Sequence, residues 1–279
     1  MSIPAAKLRQ YAQGIEDTTA GRSTAASVLA SLTANNAAND PITMQAAAEI
    51  YVPTIIRKTR NRIEVAHYAT EQIKESTTHS EQASPPDDDW MNAFMRFAED
   101  ASSSRLQDLF GRILAGQVER PGAFSLPTLR AVSELDQDIA NDFTIVWGMS
   151  VGVEVDFSQY FQIGEGFARW KRLAEAGLMA PSNVVQFLPE FNPVANGCAL
   201  WGPVSASNHT LLIHFQQNCA VRWQNIPFTR AGREIGSLLP QPDYPGNLRA
   251  MGMKLRGVGV SRIELHTVGL PVEVVFGGD

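Results

Sequence analysis

The sequence predicts an α+β protein whose helices come first and whose strands are gathered in the C-terminal half. Three observations predict it. Apolar residues recur every three or four positions through residues 90–147. Near residue 150 the period shortens to alternation, beginning with "VGVEVDF". Between residues 76 and 88 the polar, Pro-Pro-containing run "STTHSEQASPPDD" reads as a linker or exposed loop. These breaks divide the chain into an Ala-rich helical arm (1–80), a helical core (87–149) and an α+β domain (150–279).

Composition sets the outer bounds. At 279 residues the chain suits about two domains, and 44% hydrophobic with 19% charged residues is ordinary for a chain that buries a core. No apolar run approaches the roughly 18 residues of a membrane helix, so no membrane partner is expected. The net charge of -6 weighs against a broad basic face for nucleic acid. The only cysteines, Cys198 and Cys219, make no disulfide framework, and "MSIPAAKLRQYAQ" lacks the apolar core of a secretory signal. A reducing cytoplasm is the expected compartment.

The arm comes first. "TAASVLASLTANNAAND" has helix formers but few large apolar side chains, which implies helices leaning on something else, such as another copy of the chain. Beyond Pro53, Ile56, Thr59, Ile63, Ala66, Thr70 and Ile73 alternate at three and four, the spacing of a self-associating seam or an ordinary amphipathic helix. Ile56, Ile63 and Ile73 are its oligomerisation candidates. The cluster "RKTRNR" (Arg57, Lys58, Arg60, Arg62) opens this helix as a solvated face or a phosphate-binding patch.

Four short helices follow. Asp89 can cap one carrying Trp90, Phe94, Phe97 and Ala101. Ser103 or Ser104 can cap the next, with the stripe Leu106, Leu109, Phe110, Ile113 and Leu114 and an end at Gly116. Pro121-Gly122 turns the chain. Ser125 then starts a third helix, burying Leu126, Leu129, Val132 and Leu135, and Asp136 a fourth, burying Ile139, Phe143, Val146 and Trp147. Short connections among them predict a four-helix bundle.

From residue 150, "VGVEVDF" is expected as a strand and "GEGFARWKRLAEAGLM" as a helix stopped at Gly177. Strand-like runs follow ("NVVQFL", "CALWG", "HTLLIHF", "CAVRWQNI"), then a helix capped by Thr229, another through "LRAMGMKL", and a strand "VSRIELHTV". "PVEVVFGGD" is a last strand or a tail. A helix ending in "EAGLM", then strands, then "FTRAGREI", suits a winged-helix-like α+β module.

The segment from Asp87 to Phe143 resembles the DUF2806-type bacterial proteins, a family of unknown function. The resemblance rests on Asp89-Trp90, Leu106-Gln107, Ile113-Leu114-Ala115-Gly116, Pro121-Gly122, Phe124-Ser125 and Thr128-Leu129. The upstream "NRIEVAHYATEQI" is similar too. Phe110 and Pro127 depart from it, standing where the family has Trp and Arg. "LAEAGLM" and "FTRAGREI" also resemble abortive-infection Abi-alpha-like modules. The resemblance implies a fold and a bacterial or phage origin, and no reaction.

Candidate chemistry is sparse. The corner "GQVERPGAFS" lacks the Lys and spacing of a phosphate loop, so its glycines, proline and serine read as helix stop, turn and cap. Asp87-Asp88-Asp89 could bind Mg²⁺ but suits a helix N-terminus better. His209 and His214 fall on opposite faces of a regular strand and cannot share a metal there. Cys198 and Cys219 read as small buried hydrophobes or half a zinc site, without a full ligand set. No nucleophile motif accompanies His67 or His79. The sequence therefore predicts a non-enzymatic interaction or assembly protein in a prophage or phage-defence setting, without catalytic, metal or cofactor residues. Its expected partners are copies of itself and other proteins. The alternative is a DNA-binding winged-helix regulator using Arg169, Lys171 and Arg172, extended by Arg222, Arg230 and Arg233.

Overall fold

The computed structural model describes residues 41–75, 85–181, 185–187, 192–193, 199–216, 223–257 and 259–277. Eight helices and two antiparallel sheets are present among them, the helices leading and the strands following. The chain divides into two compact units between Ser133 and Glu134. The sequence places its breaks elsewhere, in the 76–88 run and near residue 150.

The first unit holds α1 (Pro41–Glu75), α2 (Asp88–Asp100), α3 (Ser104–Glu119) and α4 (Leu126–Ser133). The cap of α2 is Asp87, two residues before the expected Asp89; its carboxylate accepts from Trp90 N at 2.9 Å. Asp88 and Asp89 occupy the first turn, where negative charge faces the positive end of the helix. Ser103 caps α3, its hydroxyl accepting from Leu106 N. Trp90 stacks on Phe94, which meets Phe110 edge-on, so Phe110 fills the core with no exposed surface. Helix α3 lies so close to α1 that a Cβ at Gly111 would come within 2.5 Å of Tyr68 Cβ.

The corner after α3 is built from buried hydrogen bonds. Helix α3 continues through Gly116 to Glu119 instead of stopping, and the missing side chain at Gly116 leaves room for the Phe124 ring. Phe124 is buried although it lies in a loop. Its N–H donates to Gln117 Oε1 at 2.9 Å, and its carbonyl accepts from Trp90 Nε1 at 2.7 Å. A buried loop amide needs such partners, because an unpaired one costs about 1–3 kcal/mol. The Ser125 carbonyl then accepts from Thr128 N and Leu129 N, opening α4.

The second unit opens with α5 (Gln137–Gly148), capped by Asp136. Sequence periodicity assigns α5 to the central bundle as its fourth member. Instead it buries Phe143 and Trp147 against Phe228, with ring centroids 5.8 and 5.2 Å apart, inside the strand-rich unit. An apolar stripe states how much a helix buries, and not against what. The fourth helix of the first unit is α1, through Val65 and Ala69.

One sheet has the order β1 (Ser150–Val151), β2 (Glu154–Asp156), β7 (Trp223–Pro227), β3 (Val185–Phe187). The expected single strand at "VGVEVDF" is a tight hairpin, because Gly152, at φ 65°, turns the chain back to pair Val151 with Glu154. Helix α6 (Gly164–Glu175) ends as expected before Gly177, at φ 72°. Thr229 caps α7 (Arg230–Gly236). The second sheet has the order β4 (Asn192–Pro193), β5 (Ala199–Ala206), β6 (His209–Gln216), β8 (Val260–Thr267), β9 (Glu273–Phe276). Leu211, Ile213, Phe215, Ile263 and Leu265 cluster with Leu248 and Met251 of α8 (Tyr244–Leu255). This five-stranded sheet has no counterpart in the winged-helix expectation.

Replacing Gln117 with Ala removes the acceptor for the buried Phe124 N–H. We expect Gln117→Ala to lower stability by about 1–3 kcal/mol in denaturant titration, whereas the exposed Gln137→Ala should change it by less than about 0.5 kcal/mol.

Candidate interaction surfaces

The basic cluster on α6 is occupied from within. Arg169 Nε donates to Asp142 Oδ1 at 2.6 Å, and Arg172 Nε to Asp142 Oδ2 at 2.7 Å. Arg169 also bonds the Tyr160 hydroxyl, and Arg172 reaches Glu165 at 2.7 Å. Burial alone would raise the Asp142 carboxyl, but the bonds from Arg172 and Arg169 outweigh it and hold that carboxyl below its usual range. Two of the three cations expected to face DNA therefore fasten α6 to α5. Lys171 is exposed, 3.9 Å from Glu175.

The outlying arginines are similarly engaged. Arg230 pairs with Glu234 at 2.6 Å, and Arg233 Nη1 donates to the Phe228 carbonyl at 3.0 Å. Arg222, Cys198 and Cys219 lie outside the described residues.

On β8, Glu264 gathers its own partners. Arg262 Nε donates to it at 2.6 Å, His266 Nε2 lies 2.9 Å away, and His214 of β6 lies 3.5 Å away. Burial raises its carboxyl, but His266 and Arg262 outweigh that and lower it. His209 instead meets Thr267 Oγ1 at 2.9 Å. Among the described residues no group of three or more His, Cys, Asp or Glu could hold a metal ion.

Helix α1 presents a different surface. Lys58 and Arg62 turn inward onto Glu99 of α2, and Asn61 Nδ2 donates to the Glu99 carbonyl at 2.9 Å. Gln107 Nε2 bonds both Asn61 and the Ala101 carbonyl, securing the turn between α2 and α3. Residues 49–57 are exposed apart from the partly covered Thr54. Ile50, Tyr51, Val52, Ile55 and Ile56 each leave about half or more of their surface in water, and Ile63 is 55% exposed further along. Ile56 and Ile63 of the expected seam are thus uncovered, while Ile73 is half-buried.

Glu49, Val52, Ile56, Arg60 and Ile63 follow one another at intervals of three and four, so they form one stripe along α1. The stripe borders an open groove of about 620 Å³ lined also by Pro53, Arg57, Glu64 and Ser102. Among the described residues neither Arg57 nor Arg60 has an ion-pair partner. The "RKTRNR" cluster is therefore divided by helical geometry: two cations lock the helix and two face solvent.

Sequence reasoning misses the two anchoring carboxylates. Glu99 lies 37–41 residues from the side chains it pairs with, and Asp142 27–30 from its arginines. No local spacing signals partners at that distance.

Residues 55–174 match the DUF2806 family, described as a protein of unknown function, so this stretch of the chain is DUF2806-like. No curated protein and no solved structure matches the chain.

Asp142 is ionised more readily in the folded chain than in the unfolded one, so its contribution is complete above the unfolded value of about 3.9 and fades as the pH falls through the lower folded value. We expect Asp142→Asn to lower stability at pH 7 by on the order of 2–3 kcal/mol. The same change should flatten the acid limb of a plot of unfolding temperature against pH below about pH 4.

Proposed function

We propose that the protein is an interaction and assembly protein that associates with itself through the exposed part of α1. The observation that carries this reading is the apolar block Ile50, Tyr51, Val52, Ile55 and Ile56, continued by Ile63 and left open to water on a helix that becomes packed only from Lys58 onward. A contiguous apolar patch flanked by charge is the usual mark of a protein-binding surface. Covering each of these half-exposed side chains favours association by on the order of 1 kcal/mol. The groove beside the stripe offers shape as well as apolar area.

The DNA-binding alternative has less support. Its central arginines, Arg169 and Arg172, are bonded to Asp142, and turning them outward would leave that carboxylate without its two partners.

The reading is tested by mass in solution, from light scattering behind size exclusion at micromolar concentration. The wild-type chain should run as a defined oligomer at low and high salt. The paired change Ile56→Asp and Ile63→Asp should lower the mass to that of one chain, with an unchanged unfolding temperature at matched low concentration. A wild-type monomer throughout would remove the assembly reading.

A further inference from the structure

The exposed stripe of α1 is self-complementary in one orientation. Glu49 and Arg60 are eleven residues apart, about three helical turns and ~16 Å along the axis, so they lie nearly in line. Val52 and Ile56 lie between them on the same stripe, both half or more exposed. Glu49 is exposed and accepts one hydrogen bond, from Gln45 Nε2 at 3.0 Å, and Arg60 has no ion-pair partner among the described residues. The surface therefore reads anion, apolar, apolar, cation.

We propose that two copies pair through this stripe as antiparallel helices related by a two-fold axis level with Thr54 and Ile55. The inference rests on the assembly reading above and specifies its partner and geometry. In this arrangement Glu49 of each copy meets Arg60 of the other, giving two equivalent ion pairs that bracket the interface. Val52 of one copy packs beside Ile56 of the other, and reciprocally, inside the bracket. A parallel in-register pair would instead set Glu49 against Glu49 and Arg60 against Arg60, which repel. The antiparallel pair also opposes the two helix dipoles favourably. Ile63 lies beyond the bracket, where it is covered by the early turns of the partner helix. The closed two-fold geometry limits the assembly to two chains at this surface.

The test is a charge swap read by sedimentation equilibrium of the full-length chain at low salt. Glu49→Arg alone and Arg60→Glu alone each convert two attractions into two repulsions, and each should weaken dimerisation about tenfold or more. The double variant Glu49→Arg with Arg60→Glu restores opposite charges across the axis and should recover wild-type affinity to within about threefold. Far-ultraviolet circular dichroism should be unchanged in all three, since both positions are exposed. Ile56→Asp with Ile63→Asp serves as the comparison. If it dissociates the assembly while the single charge reversals leave affinity unchanged, the antiparallel pairing is wrong and assembly through α1 stands. A double variant no better than the singles, or a wild-type mass above two chains, overturns the pairing as well. A wild-type monomer removes both.

Discussion

The first unit depends on meeting the hydrogen-bonding demands of one buried loop residue. A backbone amide and carbonyl carried into an apolar interior must be bonded there, and at Phe124 the partners come from two different helices. Gln117 reaches forward from α3 and Trp90 reaches across from α2. Both are nearly fully buried, so the corner cannot shift without uncovering a polar group. The same residue fills the space left by Gly116. The positions that carry the DUF2806 resemblance here, Trp90, Gly116, Phe124, Ser125 and Thr128, are thus largely accounted for by folding. Gln107, beside Leu106, belongs with them through its bonds to Asn61 and the Ala101 carbonyl. These residues explain why a recurring pattern can exist here without implying a reaction.

Each unit also carries a carboxylate with small residual exposure that holds two cations. Glu99 gathers Lys58 and Arg62, and Asp142 gathers Arg169 and Arg172. Removing such a carboxylate from water is unfavourable unless the bonds it gains outweigh the loss, and at Asp142 they do so clearly enough to lower its proton affinity. The functional consequence is subtractive. Positive charge that looks available along the chain is already engaged at these places, and Arg57 and Arg60 form the cationic pair that α1 presents outward.

Local chemistry was legible from the residues alone. Ser103, Asp136 and Thr229 cap helices through hydroxyl or carboxylate acceptors, and Gly177 takes the left-handed conformation that a helix stop requires. The core stripe of α3 follows from its spacing. Less legible was where in space several of these faces and charges find their partners. Ile56 and Ile63 share one exposed stripe, as their spacing implies, yet Ile73 turns partly inward. Helix α5 shows a buried face whose destination, Phe228, is encoded some 80 residues later. "VGVEVDF" alternates as a strand should, but the positive φ of Gly152 converts alternation into reversal. Arg169 and Arg172 have the composition of a binding patch, and only the position of Asp142 shows what they bond.

Helix α1 spans 35 residues, about 52 Å, and its inward polar bonds begin at Lys58. Among the described residues, the stretch before that point is a beam with its polar anchors at one end. Pro53, five residues from the first anchor, donates no amide hydrogen, so the Glu49 carbonyl lacks its helical partner there. The beam is most compliant where that bond is missing. A load applied near residue 50 is taken up as bending at the proline before torque reaches Glu99. A partner bound near residue 50 can therefore seat itself by a small rotation there, leaving the packed half of the helix undisturbed.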